Sequence, residues 1–270
     1  MISLKDLLLQ YKSEHKALPA FNIDSFEIYQ AVELAVSETN LPCFVQLSAG
    51  EDRFIQAERL FLLVQKARLS NLPIYLNMDH GNDLSRLSQL AGLGFDMIHF
   101  DGSSLPYQEN LSLATKFKSE HPSTIFEVEF NKIGSEQYTT PEQASEFMSQ
   151  SQADLLAVSI GNVHGVNLES PESIDLGLLK NITDILPDKF FTLHGGSGIA
   201  QDQISSAIGM GVVKININTD LRLQFLSSLR RELYANDSEK IYEYLNIVID
   251  DVKKVVIEKL NQFANHNPIS

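Results

Sequence analysis

Three of the chain's seven histidines are each followed at once by glycine: His80-Gly81, His164-Gly165 and His194-Gly195. Neutral imidazole binds zinc, cobalt, iron or nickel, and three of them with one position left open form a catalytic zinc arrangement. Glycine directly after the ligand lets the backbone turn away or approach a bound group closely. The first of the three sits in "IYLNMDHGND" (74–83), where an apolar run ends on a carboxylate, Asp79, then an imidazole, His80. The other histidines lack this placement: His15, His121 and His266 read as solvated, and His99 inside "MIHFDGS" reads as a packed strand residue.

For the three imidazoles to converge, separate elements must deliver them to one place. Short apolar or β-rich runs alternate with helical patterns along the chain: "LPAFN" (18–22), "CFVQLS" (43–48), "IYLNMDH" (74–80), "MIHFDGS" (97–103), "IFEVEFN" (125–131), "LLAVSIG" (155–161), "FFTLHGG" (190–196) and "VVKININ" (212–218). Between them run amphipathic stretches such as 25–40, 53–70, 83–94 and 140–152, many opened by Ser, Thr or Asp caps. Eight βα units in this length predict an α/β fold, a closed (β/α)₈ TIM barrel, with a doubly wound open sheet as the alternative. The three His-Gly pairs then lie at the C-terminal ends of strands three, six and seven, the face where barrels build active sites. From Asp220 onward the chain reads as helices that exceed what the last unit needs. The expected organisation is one barrel domain over 1–270 with a C-terminal helical extension over 237–265 that caps the barrel or pairs with another subunit, giving a homo-oligomer (dimer or tetramer).

The same placement predicts an anion site. "LHGGSGI" (193–199) sets Gly195, Gly196, Ser197 and Gly198 before a helix, and "KININTDL" (214–221) brings Asn216, Asn218 and Thr219 to the start of the next. Loops after strands seven and eight are where barrels hold phosphate on backbone N–H groups and helix N-termini. A phosphorylated substrate lying over a metal is the reading these two features share.

Composition limits the alternatives. The formal net charge of −14 arises from acids scattered along the chain, which argues against a nucleic-acid or anionic-membrane partner. Cys43 is the single cysteine, so no internal disulfide framework exists and a reducing compartment is the natural setting. No apolar run approaches the ~18 residues of a membrane span, and the amphipathic N-terminus has no signal-peptide pattern. A soluble, cytoplasmic protein is expected.

The motifs "AFN" (20–22), "NMDHG" (77–81), "FDGS" (100–103), "EVE" (127–129), "SIGNVHG" (159–165), "LHGGSG" (193–198) and "KININTD" (214–220) resemble, in order and spacing, the class II metal-dependent ketose-bisphosphate aldolases, which include fructose- and tagatose-bisphosphate aldolases. The resemblance implies a zinc-dependent aldolase of carbohydrate metabolism that forms or cleaves a ketose phosphate by retro-aldol chemistry, with dihydroxyacetone phosphate or a related ketol as the enediolate-forming partner. By it His80, His164 and His194 hold one catalytic Zn²⁺ per chain, Glu129 stands near an alternative metal position, and Asp79 moves the hydroxyl proton whose loss breaks the carbon–carbon bond. Gly165, Gly195, Ser197, Asn216, Asn218 and Thr219 bind substrate and phosphate, Asn22 and Ser48 line the pocket, and a monovalent cation lies near the phosphate.

The chain also departs from that pattern. The family's long loop after strand five carries a "GGEED"-like stretch whose glutamate exchanges the proton on the enediolate carbon, whereas this loop is only "NKIGSEQYTTPEQ" (131–143). Gln137 falls at the glutamate's place and cannot act as a carboxylate base, which leaves Glu136 beside it as the catalytic candidate. Phe130-Asn131 displaces the usual glycine, and "VHGVNLE" lacks a lysine found in some members. Arg53 is a candidate for a distal phosphate. The rebuilt loop keeps two alternatives open: another lyase or isomerase chemistry, or a non-catalytic sugar-phosphate binding homologue.

Overall fold

Every strand residue of a barrel is covered on both sides, by helices outside and by other strands inside, so the strands are apolar nearly throughout. The computed structural model, which describes residues 2–163, 165 and 173–264, shows this arrangement. Eight parallel strands, β1 (Leu18–Asn22), β2 (Cys43–Leu47), β3 (Ile74–Gly81), β4 (Met97–Asp101), β5 (Ile125–Glu129), β6 (Leu155–Ala157), β7 (Phe190–Leu193) and β8 (Val212–Ile217), pair in sequence order. The barrel closes where β8 returns to β1, with Leu18 opposite Lys214 and Phe21 opposite Ile217. The fold is therefore the (β/α)₈ barrel and not the open sheet.

The helices are α1 (Leu4–Ser13), α2 (Phe26–Thr39), α3 (Ala49–Ile55), α4 (Ala57–Leu69), α5 (Leu84–Leu93), α6 (Tyr107–Glu120), α7 (Pro141–Ser151), α8 (Leu176–Ile185), α9 (Gln201–Gly209), α10 (Thr219–Ala235) and α11 (Ile241–Ala264). The amphipathic stretch 53–70 does not form one helix. Gln56 adopts a left-handed conformation (φ 68°), and the Asp52 carboxylate accepts the Ala57 N–H at 2.9 Å, which starts α4 afresh. Arg86 fixes that carboxylate with a two-pronged ion pair, Nε to Oδ2 at 2.8 Å and an amino nitrogen to Oδ1 at 2.9 Å. The extra C-terminal helices pack on the barrel wall: α11 lies against α2 and α10, and the Ala17 N–H donates to Phe263 O at 3.1 Å. Among the described residues no helix is long and apolar enough to cross a membrane.

Inside the barrel the chemistry changes with height. Leu18, Ala20, Phe44, Tyr75, Met97, Ile125, Leu155, Phe190 and Val213 form an apolar floor, closed from below by Leu4, Leu7, Leu8 and Tyr11 of α1. Two residues further along β2, β3, β4, β5 and β7 the inward positions turn polar, Gln46, Asn77, His99, Glu127 and Thr192, and β8, whose register shifts against β7, adds Lys214, all fully buried. One chain of hydrogen bonds climbs through them, Asn77 Nδ2 to Gln46 Oε1 (2.8 Å), Gln46 Nε2 to Asn22 Oδ1 (2.9 Å) and Asn22 Nδ2 to Asp79 Oδ2 (3.1 Å). Opposite it the Lys214 ammonium meets Glu127 Oε2 at 2.9 Å. These bonds tie the middle layers to the mouth, while Asn77 Oδ1, Thr192 Oγ1 and His99 Nε2 are buried there without a hydrogen-bond partner among the described residues.

Candidate active site

In a regular strand Asp79 and His80 would face opposite sides of the sheet. Here the ladder between β3 and β4 slips: Asn77 lies opposite Met97 and Met78 opposite Ile98, but Gly81 lies opposite Phe100. Two residues, Asp79 and His80, thus stand against one, His99, which is a β-bulge. His80 takes the left-handed conformation (φ 48°), and both side chains turn into the cavity at the barrel mouth. Gly81 relieves crowding here, since a Cβ would lie 2.3 Å from Leu87 Cδ2 and 3.2 Å from the His99 carbonyl oxygen and both neighbours would have to shift.

His80 and His194 meet above the floor. His194 Nε2 donates to Glu127 Oε1 at 2.8 Å, and His80 Nδ1 lies 2.9 Å from Asp101 Oδ2. The other nitrogens, His80 Nε2 and His194 Nδ1, face each other at 2.9 Å. Burial works against charge on His80, yet Asp79, Asp101 and Glu129 push its pKa up to about 9. Burial pulls His194 down to about 3. Burial likewise opposes ionisation of Asp79, but the adjacent His80 imidazole, with Lys214 further off, favours the carboxylate and holds the group well below its usual range. Glu129 is pushed up to about 7, by burial and then by Asp101. The nest therefore favours positive charge between the two imidazoles.

The donor set fits a divalent metal. Each imidazole directs its remote nitrogen at a carboxylate and its near nitrogen at a common point, the carboxylate–histidine–metal arrangement that orients ligands and raises their basicity. Two tetrahedral zinc ligands at about 2.0–2.1 Å lie about 3.3 Å apart, so the pair need part by only about 0.4 Å. Glu129 Oε2, buried without a hydrogen-bond partner, lies 3.5 Å from His80 Nδ1. Asp79, His80, His99 and His194 bring ligand atoms within 4.8 Å of one another, as do His80, Asp101 and Glu129. The third sequence candidate, His164, lies outside the described residues.

A cavity of about 570 Å³ opens over this nest and brings most of the sequence candidates together. Asn22, Ser48, Asp79, His80, Glu129, Gly165, Gly195, Ser197, Asn216, Asn218 and Thr219 all line it. His194 lies fully buried beneath, with Asn216 Nδ2 reaching both its Nδ1 (3.1 Å) and Asp79 Oδ1 (3.0 Å). Gly195 has φ 75°, and a Cβ there would fall 1.9 Å from Val163 O, so no other residue leaves room at this turn. Ser197 Oγ accepts the Asp220 N–H at 3.3 Å, which ties the β7 loop to the first turn of α10. The positive end of that 17-residue helix faces the cavity beside Thr219.

Two candidates stand apart. Glu136 sits on an exposed turn and is not among the lining residues, and Arg53 lines a separate depression beside Arg86. The short loop is pinned instead: Ile133 N–H donates to Glu129 Oε1 (3.2 Å), Gly134 N–H to Asn162 O (3.1 Å) and Thr139 N–H to Ser159 O (2.7 Å). It thereby places Lys132 in the cavity wall, which Arg222 also lines. Arg222 is engaged by Asp24 and by Glu51 Oε1 at 2.8 Å. Glu51, pushed up to about 7 by burial and by Asp24, also accepts from Asn22 Nδ2 at 2.9 Å. Asp101, Glu127, His99 and Lys214 also surround the site, and the His-Gly pattern does not point to them. Their signal was present as polar residues at every second position of apolar strands, such as Glu127 and Glu129 or Lys214 and Asn216.

Comparison with known proteins agrees with the geometry. Residues 2–268 match the family described as fructose-bisphosphate aldolase class II. The fructose-bisphosphate aldolase of Streptococcus pneumoniae is 30% identical over 288 aligned positions that cover 98% of either chain. That of Mycoplasma genitalium is 27% identical, covering 99% of either chain. The crystal structure of the YdjI aldolase from Escherichia coli K12 superposes with a TM-score of 0.87 at 26% identity, covering 99% of this chain and 98% of that one. The Campylobacter jejuni fructose-bisphosphate aldolase shares the fold, with a TM-score of 0.80 at 23% identity over 98% of this chain and 95% of that one. The chain belongs to the class II fructose-bisphosphate aldolase family, metal-dependent enzymes that make and break carbon–carbon bonds.

Proposed function

We propose that the enzyme reversibly cleaves a ketose phosphate, with dihydroxyacetone phosphate or a related ketol as the enediolate-forming half, and that one zinc ion per chain is held by His80, His194 and His164, with Glu129 as an alternative ligand. The observation that carries this reading is the pair of imidazoles, each backed by a carboxylate, facing each other beside Asp79 under a cavity that ends on a helix N-terminus. A divalent ion held there supplies Lewis-acid polarisation of a ketone oxygen.

The residues divide the remaining work. Asp79, kept ionised and held by Asn22 and Asn216, takes the proton from the hydroxyl at C4, whose electron pair becomes the aldehyde carbonyl as the C3–C4 bond breaks. Gly165, Gly195, Ser197, Asn218 and Thr219 hold the phosphate through backbone N–H groups and hydroxyls, with a monovalent cation as a further partner. Glu136 is proposed to return the proton to C3, which requires the 131–140 turn to release its bonds to Asn162 and Ser159. A second reading is favoured by Glu129, which already lines the cavity and is raised to about 7, near the value suited to proton transfer at neutral pH. A cytoplasmic location and a homo-oligomeric state complete the proposal.

The test is release of dihydroxyacetone phosphate from a panel of ketose phosphates by the zinc-loaded protein. Asp79→Asn should retain fold and metal and lose about 10²–10⁴-fold in cleavage. Cleavage at the wild-type rate by that variant, with chemistry rate-limiting, would remove Asp79 from the proton step. Protein that holds well under one zinc per chain in excess zinc would remove the metal reading.

A further inference from the structure

The bulge that aims Asp79 and His80 together has to be held in place. A non-glycine residue with positive φ persists only where its surroundings over-determine it. A bulge also withdraws a backbone N–H from the ladder, and a buried N–H needs an acceptor. At His80 that acceptor is a side chain: His99 Nδ1 takes the His80 N–H at 3.0 Å. His99 is the residue of β4 against which the two bulged residues stand, and it is fully buried.

We propose that His99 is a positioning residue for the active site, whose Nδ1 replaces the missing ladder acceptor and holds His80 in the conformation that turns Asp79 and His80 into one cavity.

The ring's surroundings suit that task. An imidazole that accepts at Nδ1 is neutral and carries its hydrogen on Nε2. Nε2 points toward Glu129 Oε2, 3.6 Å away, and neither atom has a hydrogen-bond partner. Asp79 Oδ1 and Glu127 Oε1 lie 3.6 and 3.9 Å from Nδ1, and the rings of His80 and His194 stand 4.8 and 5.0 Å off, centre to centre. His99 is thus wedged between the bulge and β5. Packing alone would ask only for a side chain of this volume, whereas the bond to His80 asks for an acceptor at one atom.

Three substitutions separate the two demands. Asparagine places its carbonyl oxygen where Nδ1 stands, glutamine reaches the Nε2 position, and leucine fills space with no acceptor. Two readouts apply to the full chain: hydrogen exchange of the His80 amide by NMR without added metal, and zinc affinity by competition with a chromophoric chelator. The second rests on the proposed metal site; the first does not. In His99→Leu and His99→Gln the His80 amide should lose at least about tenfold in protection and zinc affinity should fall about 10–100-fold. His99→Asn should stay within about threefold of wild type in both. A packing role would lower thermal stability without splitting asparagine from glutamine. Wild-type protection in His99→Gln, or equal losses in the asparagine and glutamine variants, would overturn the proposal, and this pair decides even if the leucine variant does not fold. If the wild type takes up no zinc, the metal reading fails while amide exchange still decides the role of His99.

Discussion

His80 is where a proton and a metal ion compete for the same nitrogen. Asp79, Asp101 and Glu129 outweigh the effect of burial and raise its pKa to about 9, whereas a metal binds only the neutral ring. Below pH 9 each ion bound must displace at least one proton, so apparent zinc affinity should climb at least about tenfold per pH unit and level off near pH 9. His194, held down to about 3, is already neutral and adds nothing to the slope. Chelator competition at pH 6, 7 and 8 checks this, and a flat profile would show that His80 does not carry the displaced proton. His80 and His194 could be singled out from sequence because a histidine before glycine at a strand end is a local pattern. Asp101, Glu127 and His99 carry no such pattern. Their importance comes from contacts across the barrel, such as the 2.8 Å bond from His194 to Glu127, between residues 67 positions apart.

At the scale of elements, strand positions were readable because parallel strands covered on both faces stand out as apolar runs between helical periods. The bulge at Asp79–His80 was not, since it is set by the register of β3 against β4 and by the His80–His99 bond. The break at Gln56 depends in the same way on Asp52, itself clamped by Arg86. The turn after β5 decides how the C3 proton moves. Its bonds to Asn162 and Ser159 hold Glu136 away from the cavity, so catalysis by Glu136 needs a conformational step before the proton transfer. Exchange of the C3 hydrogen of dihydroxyacetone phosphate in deuterated water isolates this half-reaction. Glu136→Gln should lower it by at least about 100-fold, and Gln137→Ala should change it little. Undiminished exchange in Glu136→Gln, with loss in a Glu129→Gln variant that still holds zinc, would assign the step to Glu129.

Over the whole molecule, stability and chemistry occupy opposite ends of one barrel. The floor is apolar and closed by α1, the middle is a layer of buried polar groups tied by hydrogen bonds and one ion pair, and the mouth gathers the carboxylates and imidazoles. Backbone strain at the mouth, in His80, is tolerated because the strand carrying it is anchored below by packed side chains. Leu8 tests this division. It is fully buried against the floor, so Leu8→Ala leaves a cavity and should cost about 2–5 kcal/mol of stability in urea unfolding. Because the layers between floor and mouth hold one another through short hydrogen bonds, the loss should not travel upward: zinc affinity and the pH dependence of its binding should match wild type wherever the variant is folded. A Leu8→Ala variant that folds but binds zinc more than about tenfold more weakly would show that the floor and the mouth are coupled, and that α1 belongs to the machinery of the site as well as to the core.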